Sequence, residues 1–214
     1  MTQNLKTFLI SIKIKMLYFY WAIKRYFIAP KFPVNKDGKV LVNLGCGVNT
    51  SKEFINVDTI PLPHIHHINN IQELFMFPDN SVDLLYASHV VEHIPRNELR
   101  KTLKDWRRVL KKGGILKIGV PDFDKLIEAY RLSGNNVDLI VNQVMGNIGD
   151  YNDHHSLWNF KYAKQLLEEA GFGDIRKWDY QNTNHHDFND KTSRIMKIDN
   201  TDILISLNIE ATKL

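Results

Sequence analysis

Lys39-Val40-Leu41-Val42-Asn43-Leu44-Gly45-Cys46-Gly47, and after it Phe54-Ile55-Asn56-Val57-Asp58, decide the fold of this chain. The first stretch is a β-rich apolar run that ends in a glycine turn, and the second is a short apolar run that closes on a carboxylate. Strand, glycine turn, and an acidic residue at the end of the next strand form the constellation for a ribose-bearing ligand. The glycines let backbone approach the ligand, and the carboxylate accepts from ribose hydroxyls. The same residues also suit a plain tight turn followed by a solvated strand-end aspartate. A dinucleotide is disfavoured either way. The place of a third glycine reads Val48-Asn49-Thr50, and Asp58 follows Gly45 by 13 positions, against about 20 in a dinucleotide fingerprint.

Outward from this unit, Phe77-Pro78-Asp79-Asn80-Ser81 has turn chemistry and precedes a strand over Val82–Ala87. The strand runs into the polar cluster Ser88-His89-Val90-Val91-Glu92-His93-Ile94-Pro95. In open α/β sheets ligands sit in the crevice beyond the carboxyl ends of the strands, which is where this cluster falls. A helix from about Arg96 to Lys112 presents Leu99, Leu103, Trp106, Val109 and Leu110 as one apolar stripe and stops at Gly113-Gly114. A buried strand, Ile115–Val120, follows. Pro121-Asp122-Phe123 then opens a helix carrying Leu126, Ile127 and Tyr130, and a second helix is expected near Val137–Met145, the pair serving as a lid. The loop from Gly146 to His155 is polar and carries two histidines, and the amphipathic helix Asn159–Ala170 comes next. Strands at Asp174–Tyr180 and Thr201–Asn208 close the chain, with Gln181–Asp190 as a long hairpin loop. The expected class is α/β, with alternating strands and helices.

The 214 residues suit one medium domain, and a 43% hydrophobic, 24% charged composition is that of an ordinary globular chain. The net charge of +4 is unevenly placed: residues 1–40 carry eight Lys/Arg against one Asp, the remainder 20 against 23 acidic residues. The folded body is slightly acidic, which argues against a nucleic-acid partner, since neutralising phosphates needs a basic face on the domain itself. Within the arm, Leu5, Phe8, Leu9, Ile12, Met16, Phe19, Ile23 and Phe27 recur at helical spacing, while Lys13, Lys15, Lys24 and Arg25 interrupt any apolar run long enough to span a membrane. The expected division is a basic amphipathic helix and linker over residues 1–38, then one domain over 39–214. Residues 5–28 suit a membrane interface, and equally a helix docked on its own domain or on a second copy in a homodimer. The single cysteine, Cys46, excludes an internal disulfide and fits a reducing cytoplasm, with attachment at the inner face of the membrane as the arm's option. Neither paired cysteines nor an H-E-x-x-H helix is present, so no metal is expected. His64, His66, His67, His185 and His186 are expected to be surface polar residues.

The stretches Asn43–Gly47, Phe54–Asp58, Phe77–Asp83, Ser88–His93 and Arg108–Gly114 together resemble the class I S-adenosylmethionine-dependent methyltransferases. The likeness is to a small type 11-like group associated with surface-polysaccharide and sugar-modifying pathways, and it covers roughly residues 39 to 180. It implies a Rossmann-like sheet of seven mostly parallel strands with helices on both faces, S-adenosyl-L-methionine as cofactor, and O-methylation of a sugar or other small-molecule hydroxyl. It further implies that Asn43, Gly45, Cys46 and Gly47 surround the methionine part of the cofactor and that Asp58 holds the ribose. Asn70 and Ile71 would lie beside the adenine, where the family usually has an acidic residue. Ser88, His89 and His93 would line the reactive end. His154 and His155, on the polar loop, are the candidates for a base or acceptor-orienting group, because histidine titrates in the range a hydroxyl acceptor requires. A small-molecule or glycan acceptor is the expected partner. A nucleic-acid amino-methylating enzyme is disfavoured, because the place of its Asn/Asp-Pro-Pro-aromatic motif reads Tyr86-Ala87-Ser88-His89. The alternative of a different class is a catalytically silent binding or scaffold protein held to a membrane or partner by its N-terminal helix.

Overall fold

The computed structural model describes residues 3–35, 37–49, 51–147, 152–182 and 190–214. A long helix, α1 (Gln3–Phe27), precedes the sheet strands β1 (Leu41–Leu44), β2 (Phe54–Asp58), β3 (His67–Ile68) and β4 (Val82–Ser88). After them come α2 (Leu99–Val109), β5 (Leu110–Pro121), α3 (Phe123–Leu132), α4 (Val141–Met145) and the two-residue strands β6 (Gly146–Asn147) and β7 (Asn152–Asp153). The chain ends with α5 (Phe160–Glu169), β8 (Phe172–Lys177), β9 (Ile195–Ile198), β10 (Thr201–Leu204) and β11 (Ser206–Lys213). Seven strands form the main sheet in the order β3-β2-β1-β4-β5-β11-β8. β11 is antiparallel to both of its neighbours, and the remaining pairs are parallel. The strand order turns back between β1 and β4, which places the topological switch point, and hence the expected ligand crevice, at Gly45 and Ser88. This is a Rossmann-like fold with an N-terminal helix.

Period-2 alternation divides the sheet into two faces. Val42, Leu44, Val57, Leu85, Ala87, Leu116, Ile118 and Val120 point to one face and join the main core with α2 and α5. α2 buries Leu99, Leu103, Trp106 and Val109 at three- and four-residue steps, and Trp106 donates its indole N–H to the Ile71 carbonyl at 2.7 Å. α5 starts on Asn159, whose side chain accepts from the Tyr162 amide at 2.9 Å, a regular N-cap. Leu41, Phe54, Leu84 and Tyr86 point to the other face, where they meet Trp178. Farther along that face Thr192 lies over Gly119, where an added Cβ would stand 2.6 Å from the threonine methyl. A third cluster joins α3 to the β9–β10 hairpin through Leu126, Ala129, Met196, Ile198, Ile203 and Ile205.

Several boundaries differ from the sequence expectation. The last sheet strand is 206–213 rather than 201–208. Asp199, in the left-handed region at φ 50°, turns the chain so that Thr201–Leu204 pairs with β9 instead. The strand expected at 174–180 begins two residues earlier and ends at Lys177. The helix expected to run to Lys112 ends at Val109, and Gly113-Gly114 lie inside β5, with Gly113 at φ 77° opposite the register shift between Val82 and Leu84. The expected second lid helix over 137–145 is one 3-10 turn followed by the short α4. Most of the loop expected over 181–190, with His185 and His186, and residues 148–151 of the histidine loop lie outside the described residues.

The arm helix is tied to the body at its end. The Arg25 guanidinium donates to the carbonyls of Leu62, at 2.9 Å, and of Ile65. Phe32 packs against the His66 and His67 rings.

Candidate functional site

Gly45 and Gly47 both take positive φ, 62° and 55°, a region that an L side chain enters only at a cost. Their surroundings differ. A Cβ on Gly45 would fall 2.3 Å from a Val90 methyl, whereas a Cβ on Gly47 would meet nothing within 4 Å. Gly45 is therefore required by the contact between the β1 and β4 ends, and Gly47 faces open space at the switch point. Both main-chain groups of Gly47 are held. Its N–H donates to Asp58 Oδ2 at 2.7 Å, and its carbonyl accepts from His64 Nε2 at 2.9 Å. Asp58 also accepts from the Ile60 amide at 3.1 Å and from the Thr59 hydroxyl at 3.4 Å. Of the roughly four lone-pair positions of a carboxylate, one is left for a ligand hydroxyl.

The residues fit an adenosyl cofactor with a methionine tail. The space over Gly47 admits a ligand against bare backbone, and Asn43, buried near the end of β1, keeps its Nδ2 donor without a partner among the described residues. Cys46 lies beside this cradle but is buried. Burial first, and the Asp58 charge second, push its thiol far above the ordinary range, so it is a small packing residue and not a nucleophile. Asn70 is exposed and turns its amide onto Gln72, donating to Oε1 at 2.6 Å. Ile71 is buried in the main core, and its carbonyl is the Trp106 acceptor.

At the end of β4, Ser88 lies across from Gly119 in register. His89 sits at φ 50°, its N–H donating to the Gly119 carbonyl at 2.7 Å and its Nε2 lying 3.0 Å from Ser206 Oγ. The following 3-10 turn, Val91–His93, buries Glu92 to 1% exposure. Glu92 Oε1 lies 3.4 Å from His89 Nδ1 and 3.9 Å from His154 Nε2, while Oε2 has no partner. Burial alone would raise the Glu92 carboxyl, but the hydrogen bond and charge of His89, with the charge of His93, outweigh it and hold the group below the usual carboxylate range. The His93 and His154 rings meet edge to face, 4.9 Å between centroids. Burial pushes His154 below its ordinary value, against the opposing pull of Glu92. His155 donates its main-chain N–H to the Glu92 carbonyl at 2.8 Å and exposes its ring. A cavity of about 390 Å³ opens beside this cluster, its wall shared between the polar Arg96, His154, His155, Ser156 and Tyr162 and the apolar Val144, Met145 and Leu157.

The structure thus brings Asn43, Gly45, Cys46, Gly47 and Asp58 together at one strand end and Ser88, His89, His93, His154 and His155 around the next, while Asn70 is exposed and follows Asn69, whose amide donates to the Asp58 carbonyl at 2.9 Å. Three residues with structural roles escaped the sequence reading. Glu92 carried no assigned role, although it stands between two histidines in Ser88–His93, the cluster placed at the strand end. His64 and His66 are not free surface residues. His66 Nδ1 accepts from the Asn56 amide at 2.8 Å while its Nε2 donates to the Lys31 carbonyl at 3.1 Å, a pairing that no local spacing announces.

Residues 39–118 match the family model described as a methyltransferase domain, and this stretch contains the glycine turn, Asp58 and the 88–93 cluster. No curated protein matches the chain by sequence. Among solved structures, a methyltransferase from Archaeoglobus fulgidus is similar at 19% identity and a TM-score of 0.52, over 97% of this chain and 99% of the other. One from Thermotoga maritima is similar at 15% identity and a TM-score of 0.53, over 92% and 89%. One from Methanosarcina mazei is similar at 14% identity and a TM-score of 0.52, over 86% and 94%. At these identities the likenesses establish the fold. The matched domain over residues 39–118 and the shared fold support a methyltransferase that uses S-adenosylmethionine.

Proposed function

We propose that the protein methylates a hydroxyl of a sugar or similar small polyhydroxylated acceptor, with the cofactor held at Asn43, Gly45–Gly47 and Asp58. The observation that carries this reading is the Glu92–imidazole cluster, which sits at the carboxyl end of β4 next to a cavity where Arg96, His155, Ser156 and Tyr162 stand among the apolar Val144, Met145 and Leu157. In-line methyl transfer chiefly needs alignment and exclusion of water. A hydroxyl, unlike an amine, also has to lose its proton as it attacks, so a neutral imidazole nearby matters. His155, with an exposed ring at the cavity wall, is assigned as that base. His154 is held by its Nδ1 on the Gln143 carbonyl at 3.0 Å and orients the acceptor. The test is release of S-adenosylhomocysteine with a panel of monosaccharides and nucleotide sugars against a panel of amines. Sugar turnover that falls on the order of 10²-fold in kcat with His155→Ala supports the assignment, and methylation of amines alone refutes it.

For the arm we propose an anionic membrane surface as the partner. Met16, Phe19, Phe27 and Ile28 are each more than 60% exposed, the surrounding residues 1–40 are strongly basic, and no helix among the described residues is long and apolar enough to cross a membrane. Apolar side chains flanked by lysines are the pattern of a helix lying in the headgroup region. Co-sedimentation with phosphatidylglycerol vesicles, lost in high salt and on phosphatidylcholine, is expected. A salt-stable dimer through α1 with no vesicle binding would replace this partner with a second copy.

A further inference from the structure

Glu92, His93 and His154 come from two places far apart in sequence, the turn after β4 and the strand-flanked loop after α4, yet each offers a ligand atom within 4.8 Å of the others. We propose that these three side chains hold a divalent first-row transition ion, zinc foremost. The hydrogen bonding sets the ligand atoms. His154 Nδ1 faces the Gln143 carbonyl at 3.0 Å and His93 Nδ1 faces the Asp153 carbonyl at 3.1 Å. A carbonyl can only accept, so both Nδ1 atoms carry the proton and both Nε2 atoms keep a lone pair. Carbonyl-oriented imidazoles with the second nitrogen left bare are the usual preparation of metal-bound histidines.

Glu92 supplies the second, independent observation. Its side chain is 1% exposed, and Oε2 has no hydrogen-bond partner among the described residues. An unpartnered buried carboxylate oxygen is costly unless a cation meets it. His154 Nε2, as a lone-pair atom 3.9 Å from Oε1, adds repulsion that a cation between them converts to attraction. His89 Nδ1 holds the same oxygen, Oε1, at 3.4 Å, and leaves Oε2 for the ion. Two imidazoles and one carboxylate form the donor set of an open, catalytic type of zinc site, and nitrogen ligands disfavour magnesium and calcium. Ligands about 2.0–2.2 Å from a shared ion stand about 3.3–3.5 Å apart, so the site closes by roughly an ångström of side-chain rotation. His154 also lines the cavity, and a water or acceptor hydroxyl bound at the remaining coordination position would lose its proton more readily. That last role rests on the hydroxyl-acceptor reading; the metal site does not.

The test is calorimetric titration of the untagged full-length protein, stripped with chelator, with zinc chloride alone, followed by the visible spectrum with cobalt in its place. One equivalent is expected to bind, cobalt giving the intense absorption of a tetrahedral site, and both signals are expected to weaken at least 100-fold in His154→Ala. His93→Ala, at a less buried position, repeats the measurement should the first variant fail to fold. No stoichiometric binding by folded protein, or binding unchanged in a folded variant, overturns the site. S-adenosylhomocysteine binding is titrated on the same samples, so loss of the metal reading leaves the methyltransferase reading independently judged.

Discussion

Alanine at Gly45 and alanine at Gly47 are expected to fail in different ways, although the two glycines share a turn and a positive φ. At Gly45 the methyl would stand 2.3 Å from Val90 Cγ2 and 2.9 Å from Val90 Cβ. Left-handed backbone costs a side chain about 1–2 kcal/mol, and overpacking a close contact adds about 1–3 kcal/mol. Gly45→Ala should therefore lose roughly 2–5 kcal/mol, a fall in Tm on the order of 10 °C for a chain of this size. Val90→Ala in the same molecule removes the 2.3 Å contact but keeps the Cβ at 2.9 Å, so it should return part of the overpacking cost and leave the backbone part. At Gly47 nothing lies within 4 Å, so only the backbone cost of about 1–2 kcal/mol remains, a drop of about 2–8 °C. The new methyl there points into the space assigned to the cofactor, and affinity for S-adenosylhomocysteine should fall by more than tenfold. Differential scanning fluorimetry and calorimetric titration read the two effects separately. Equal Tm losses for the two variants, or an unchanged affinity in Gly47→Ala, would refute the division of labour between packing and binding.

Burial holds His66 below its ordinary pKa, although its bond to the Lys31 carbonyl pulls the other way, and burial does the same to His67. The unfolded chain then takes up the proton first, so the stability they contribute is complete above about pH 6.5 and is lost as pH falls toward the folded-state values. Tm measured from pH 7.5 down to 5 should decline more steeply in the wild type than in His66→Asn, and parallel curves would count against the assignment. Trp106→Phe removes the indole donor and orphans the buried Ile71 carbonyl, a loss of about 1–3 kcal/mol that should lower Tm by roughly 2–12 °C. An unchanged Tm would mean that the Trp106–Ile71 bond contributes nothing net.

Much of the sheet was legible because its strands are short apolar runs bounded by turn residues. Leu41–Leu44, Phe54–Asp58 and Val82–Ser88 all fall where that pattern puts them. β3 was not legible, since His67 and Ile68 form a two-residue strand recruited by pairing with β2 and carry no periodicity of their own. The C-terminal error has a similar cause. Ile203, Ile205, Leu207 and Ile209 alternate without a break, and only the Asp199 turn and the bond from the Ile205 amide to the Arg194 carbonyl divide that run into two strands. At the site, the glycine turn and Asp58 are local and readable. The Glu92 cluster is not, because His154 arrives from 61 residues beyond His93, and a spacing rule for local motifs has no access to such a pairing.

Calorimetric titration of the wild type and of Asp58→Ala with S-adenosylhomocysteine, with NAD as control, tests the cofactor assignment most directly. One equivalent should bind the wild type, tenfold or more weakly the variant that has lost the Gly47 anchor, and NAD should not bind. Folded wild-type protein that binds no S-adenosylhomocysteine, or that binds it equally well without the Asp58 carboxylate, would contradict the account.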